Sequence, residues 1–188
     1  MKKRILITST IIAVAAVAVI GGLGISAFAD HRDRGVSLRA ELRGLNEVPP
    51  TTSRATASLR ATLDEEAQTI TFTLDYQNLT LPPSAAHIHF GPTKVNGGVM
   101  VFFCGGGDQA ACPTTTSGRV TGTIAVAGVV GPAAQGITAS DFADVARAIR
   151  TGNSYANMHN ANFPAGEIRG RVVASGQSFH DGDDARDD

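Results

Sequence analysis

Between Thr69 and Tyr76 apolar and polar side chains alternate without a break, Ile70, Phe72, Leu74 and Tyr76 against Thr69, Thr71, Thr73 and Asp75. Successive side chains leave opposite faces of a strand, so a two-residue period describes a β-strand with one face in a core and one toward solvent. Weaker alternation, rich in Val, Ile, Thr and Phe, predicts further strands over Leu38 to Leu45, Ala55 to Leu63, Ala86 to Phe90, Val99 to Phe103, Arg119 to Val126, Ser154 to His159 and Glu167 to Val173. One segment departs from this period: Phe142, Val145, Ala146 and Ile149 recur at helical spacing. Thr138 or Ser140 can cap that helix, Asp141 and Asp144 suit its first turn, Arg147 and Arg150 its last, and Gly152 its left-handed exit. The expected fold is all-β: an antiparallel β-sandwich or flattened Greek-key barrel of about eight strands with one short helix at about residues 141–151.

The start of the chain obeys a different rule. Met1-Lys2-Lys3-Arg4 precedes an apolar run from Ile5 to about Ile20, and Ala27-Phe28-Ala29 precedes polar Asp30-His31-Arg32-Asp33-Arg34. A basic end, an apolar segment and an A-x-A site predict a secretory signal over residues 1–29, cleaved after Ala29. An uncleaved anchor is the competing reading, since Ile5 to Ala29 is long enough to cross a bilayer of ~30 Å. With cleavage, no membrane partner is expected. The remainder divides into a mobile segment (30–35), one β domain (36–174) and a disordered acidic tail (175–188).

Without Lys2, Lys3 and Arg4, the 16 basic residues fall to 13 against 17 acidic ones, a formal charge of −4. The surplus sits in the tail, because ten basic and ten acidic residues lie between Val36 and Val173. A neutral domain has no electrostatic footprint for nucleic acid. Cys104 and Cys112 flank Gly105-Gly106-Gly107-Asp108-Gln109-Ala110-Ala111, which folds back easily. Outside the cytoplasm these cysteines are expected to form a disulfide, with thiolate metal ligation as the rival. Closing so short a loop contributes about 2–3 kcal/mol at most, so the bridge pins a loop and not the fold.

His87 and His89 lie one residue apart on a predicted strand, so their imidazoles leave one face while Ala86, Ile88 and Phe90 leave the other. Tyr155, Asn157 and His159 share a face of a later strand. If the two strands pair or face each other, three imidazoles converge, a set suited to copper or zinc. Water, Asn157, Tyr155 or Glu167 could complete the coordination. The competing reading is a hydrogen-bonded histidine cluster that holds strands together without metal. Glu167 and Arg169 fall on one face of the last strand, as an ion pair or polar ladder, or with Glu167 orienting a metal-bound imidazole. Glu47, Pro49 and Pro50 end a strand and shape a turn, with no chemistry assigned.

Leu42-Arg43-Gly44-Leu45-Asn46-Glu47-Val48-Pro49-Pro50, Ala86-His87-Ile88-His89-Phe90-Gly91-Pro92, and Tyr155-Ala156-Asn157-Met158-His159 leading into Pro164-Ala165-Gly166-Glu167-Ile168-Arg169-Gly170 occur in that order. Together they resemble the blocks of the CHRD, or chordin-type, family across roughly Val36 to Val173. Arg171 stands where that family often has Gln. The resemblance implies an exported domain, and chordin itself is an extracellular antagonist of growth factors. The His-x-His strand followed by glycine is also similar to copper/zinc superoxide dismutases, a likeness of fold and motif that implies no activity. A two-metal dismutase is not expected, because His31 and His180 are the histidines outside the triplet and both lie in the terminal segments.

No catalytic residue is assigned: there is no G-x-S-x-G elbow, and Gly105 to Gly107 leads to Cys112-Pro113 and not to a helix. The leading expectation is an extracytoplasmic binding or structural module, secreted, periplasmic or at the cell surface, with copper or alternatively zinc at His87, His89 and His159. The alternatives are a small copper-dependent redox protein using the same residues and a metal-free module for an unknown extracellular protein. Only 5% of the residues are aromatic and none is Trp, so a broad aromatic docking patch is not expected.

Overall fold

The structure, a computed structural model, describes residues 35–175. The expected signal, nearly all of the segment 30–35 and nearly all of the acidic tail lie outside the described residues. Nine strands form one antiparallel sheet: β1 (Val36–Arg43), β2 (Thr56–Asp64), β3 (Thr69–Gln77), β4 (Ala85–Phe90), β5 (Gly98–Cys104), β6 (Gly118–Ile124), β7 (Ser154–His159), β8 (Ile168–Arg171) and β9 (Val173–Ala174). Their order is β5-β4-β7-β8-β1-β2-β3-β6, with β9 beside β1. The end strands β5 and β6 approach each other, so the sheet curls into a nearly closed barrel. Among the described residues, no helix is long and apolar enough to cross a membrane.

Large and small residues are matched across the rows of the barrel. Leu38, Ala61, Phe72 and Gly122 share one row, and Ala40, Leu59, Leu74 and Val120 the next. A Cβ on Gly122 would lie 3.1 Å from the Phe72 ring, so the absent side chain is what seats the aromatic one. This interdigitation of large and small side chains is the kind of packing that gives protein interiors their density. Among the described residues one α-helix occurs, α1 (Phe142–Arg150), which buries Phe142, Val145, Ala146 and Ile149. Its N-cap is Asp141, whose carboxylate accepts the Asp144 N–H at 3.1 Å, not Thr138 or Ser140. Asp captures the orphan donor directly from the adjoining position.

Most strand ends shift from the expected ones by a residue or two, and at two places the difference matters. The first strand stops at Arg43, and Gly44–Asn46 form a 3-10 turn that starts a loop running to β2. The last expected strand divides into β8 and β9 at Val172, whose backbone N–H bonds the Ser154 carbonyl. Glu167 stays ahead of β8, in the loop. Cys104 and Cys112 are disulfide-bonded, with Cα atoms 4.9 Å apart.

In β4 and β7 both faces are buried. Ala86, Ile88, Ala156 and Met158 enter the apolar core. His87, His89, Tyr155 and Asn157 leave the opposite, outer face of the barrel and are nevertheless buried. The β1–β2, β4–β5 and β7–β8 loops make contacts there through Glu47, Gly97 and Pro164.

The barrel and the bridge are expected to differ in weight. Leu74→Ala, which empties a fully buried position beside Leu59 and Val120, should lower unfolding free energy by about 2–5 kcal/mol in urea titrations. Replacing both cysteines with serine should cost about 2–3 kcal/mol at most. A larger loss from the cysteine pair than from Leu74→Ala would contradict this division.

Candidate metal centre

Strand β4 lies between β5 and β7, and its registers assemble the site. His87 stands opposite Asn157, His89 opposite Tyr155, and Ala85 opposite His159. His159 is therefore a diagonal neighbour of His87 on the same face, within reach of a long side chain. The ring centroids of His87 and His89 are 4.6 Å apart, as are those of His87 and His159. One ligating atom from each of the three histidines lies within 4.8 Å of the others. On the β5 side, the Phe102 ring stands edge-on to His87 at 5.0 Å.

Backbone carbonyls orient two of the rings. The Pro164 carbonyl lies 3.1 Å from His159 Nδ1, and the Gly97 carbonyl 2.8 Å from His89 Nδ1. A carbonyl only accepts, so a proton on Nδ1 leaves the Nε2 lone pair free in each ring. His159 Nε2 is buried without a partner, and so is His87 Nδ1. His89 Nε2 faces Asn157 Oδ1 at 3.0 Å. The Asn157 amide NH2 lies beside the Glu47 carboxylate, both bordering the space above Gly166, and so turns the amide oxygen toward the histidines. His89 thus has an oxygen acceptor at each ring nitrogen but, when neutral, a single N–H. One of the two contacts sets acceptor against acceptor, and a cation at the cluster would relieve it.

Behind Asn157 stands a buried ion pair. Arg169 Nε lies 2.9 Å from Glu47 Oε2, with the two side chains 2% and 1% exposed. The Nε–H is poorly aligned on that oxygen, so the attraction is chiefly coulombic. Burial pushes the Glu47 carboxyl up, against the opposing pull of the Arg169 charge. The guanidinium also donates to the Thr93 and Val95 carbonyls at 3.2 Å and to Asn96 Oδ1 at 2.8 Å, anchoring the loop that carries Gly97. Its Cζ sits 4.2 Å from the centre of the Tyr155 ring, whose other neighbour is His89, stacked at 4.7 Å. The Gly97 N–H donates to the Tyr155 hydroxyl at 3.1 Å. At Gly166 (φ +128°) a Cβ would come within 2.4 Å of Glu47 Oε1, so glycine leaves the space that the carboxylate fills.

Burial holds all three imidazoles below their ordinary range. For His87 it is reinforced by His89 and His159 and brings the value to about 2. For His89 and His159 burial outweighs the bonds to Gly97, Asn157 and Pro164, which favour the charged ring. Neutral imidazole is the form that ligates a metal.

Of the residues singled out in the sequence, His87, His89, His159, Asn157 and Tyr155 come together here. Glu167 has other partners: its carboxylate accepts from Ser53 Oγ at 2.6 Å, from the Thr80 N–H at 3.0 Å, and from Asn160 Nδ2. It pairs with neither Arg169 nor an imidazole in these bonds, and the carbonyls of Gly97 and Pro164 orient the rings instead. Glu47, to which no chemistry was assigned, is the counter-ion of Arg169. A charged side chain directly before Val48-Pro49-Pro50 was the available signal, but burial of Glu47 depends on a partner more than a hundred residues away and leaves no local pattern.

The fold and site define a small antiparallel β-barrel protein with a buried histidine centre under its loops. Residues 38–172 match the family model of the CHRD domain, and the chain belongs to that family. Neither the curated proteins nor the solved structures contain a match to this chain.

Two measurements probe this centre. Below pH ~6.5 an unfolded histidine takes up a proton that buried His87 refuses until about pH 2. The unfolded state then binds more protons, so stability is full above pH ~6.5 and falls as pH drops toward 2, by up to about 1.4 kcal/mol per pH unit for this residue. Thermal melts of metal-free protein from pH 7 to 4 should show that decline, shallower in His87→Gln; equal slopes would contradict the burial of a neutral ring. Separately, Glu47→Gln strands the Arg169 charge and should destabilise by about 3–5 kcal/mol.

Proposed function

We propose that this CHRD domain is an exported metal-binding module that holds one copper or zinc ion through His87, His89 and His159. The observation that carries the reading is the pair of buried, unpartnered ring nitrogens, His87 Nδ1 and His159 Nε2, beside the mismatched His89 Nε2. A buried polar atom without a partner costs about 1–3 kcal/mol, and a shared cation would answer all three at once. The donor set is chemically apt, since imidazole is a ligand of both copper and zinc. Export rests on the signal-like N-terminus and agrees with the disulfide.

A metal-free histidine cluster is the second reading, favoured by the Gly97 and Pro164 carbonyls that already hold His89 and His159 through Nδ1. A titration with Cu(II) and Zn(II) against a competing chelator separates the two. The metal reading expects one equivalent bound tightly, lost in His87→Ala or His159→Ala, with a modest change in the melting point of the metal-free protein. Absence of site-dependent binding together with a large loss of metal-free stability in those variants would establish the structural cluster instead.

A further inference from the structure

Resting on the metal centre just described, we infer that the site prefers a monovalent to a divalent cation, and so holds copper as Cu(I). Every donor within reach is uncharged. The cluster consists of three imidazoles and includes no carboxylate. The oxygen nearest to completing it is the Asn157 amide carbonyl, 3.0 Å from His89 Nε2.

Anionic side chains in the neighbourhood are committed elsewhere. Glu47 is neutralised by Arg169 at 2.9 Å, and Glu167 is turned to Ser53, Thr80 and Asn160. An ion entering here gives up its hydration for neutral ligands in a buried setting. The cost of stripping water from an ion rises with the square of its charge, so the penalty falls hardest on a divalent ion. Three nitrogen donors are enough for a three-coordinate Cu(I), whereas Zn(II) calls for a fourth ligand, which at this cluster would be water or the Asn157 amide oxygen.

The test compares affinities in the purified protein at pH 7. Cu(I) is titrated anaerobically against a Cu(I)-specific chelator, and Cu(II) and Zn(II) against chelators of their own, each with His87→Ala as the blank for binding elsewhere on the chain. The expected result is site-dependent Cu(I) binding tighter than that of either divalent ion by about a hundredfold or more. Asn157→Asp, which sets a negative charge at about 4 Å from the ion, should move that ratio toward the divalent ions by about two to three decades. Cu(II) or Zn(II) binding as tightly as Cu(I), or a folded Asn157→Asp variant with an unchanged ratio, would overturn the inference and leave the metal centre standing. No site-dependent binding of any of the three ions would overturn both. Should Asn157→Asp fail to fold, the wild-type ratio alone decides.

Discussion

The buried pair of Glu47 and Arg169 is the contact on which the outer face of this barrel depends. An isolated charge in that position would be prohibitively costly, so each side chain requires the other. Meeting that requirement draws the β1–β2 loop onto β8. The remaining guanidinium donors then fix the β4–β5 loop through Thr93, Val95 and Asn96, and the carboxylate lies beside the Asn157 amide. Two histidine contacts follow from that order, since Gly97 reaches His89 from the anchored loop and Asn157 reaches it from the anchored amide. Gly166 completes the arrangement by leaving the carboxylate its space.

The chain therefore has two interiors with different chemistry. Inside the barrel, matched rows of large and small apolar side chains supply stability. Outside β4 and β7, under the loops, lies a polar interior whose members are held by specific partners. Low local dielectric makes such a network stiff when satisfied and expensive where it is not. Two of the buried polar atoms without a partner, His87 Nδ1 and His159 Nε2, belong to the histidine cluster, while the others are on Glu47, Thr93, Ser154 and Arg169. The two in the cluster sit on residues whose ligating atoms lie within 4.8 Å of one another, as a cation site requires.

The barrel strands and the histidine triad were legible in the sequence because both depend on local periodicity. Alternation from Thr69 to Tyr76 marks β3, and the same rule places His87 and His89 on one face of β4 and Tyr155, Asn157 and His159 on one face of β7. Pairing of those two strands is non-local, so sequence could give convergence only as a condition, which the register of Ala85 with His159 meets. The partners of the charged residues were not legible. Alternation put Glu167 and Arg169 on one face, but Glu167 precedes β8 and turns to Ser53 and Thr80, while Arg169 reaches back to Glu47. Loop closure over a sheet face decides these pairings, and nothing in a two-residue period encodes it. The three sequence blocks nevertheless have a physical unity: Glu47, His89, Tyr155, Asn157, Gly166 and Arg169, drawn from all three, form one contact network.

A metal centre here requires the three imidazoles to form a preorganised, neutral, buried set with lone pairs available to an ion. Long-range proton–nitrogen correlation NMR on the histidine rings of the metal-free protein, followed from pH 7.5 to 4.5, reads both protonation and tautomer. His87 is expected to stay neutral across the range, His159 to hold its proton on Nδ1, and Cu(I) or Zn(II) to perturb His87 Nδ1 and His159 Nε2. Rings that titrate together near pH 6.5 as mixed tautomers, with no change when either ion is added, would contradict the metal centre.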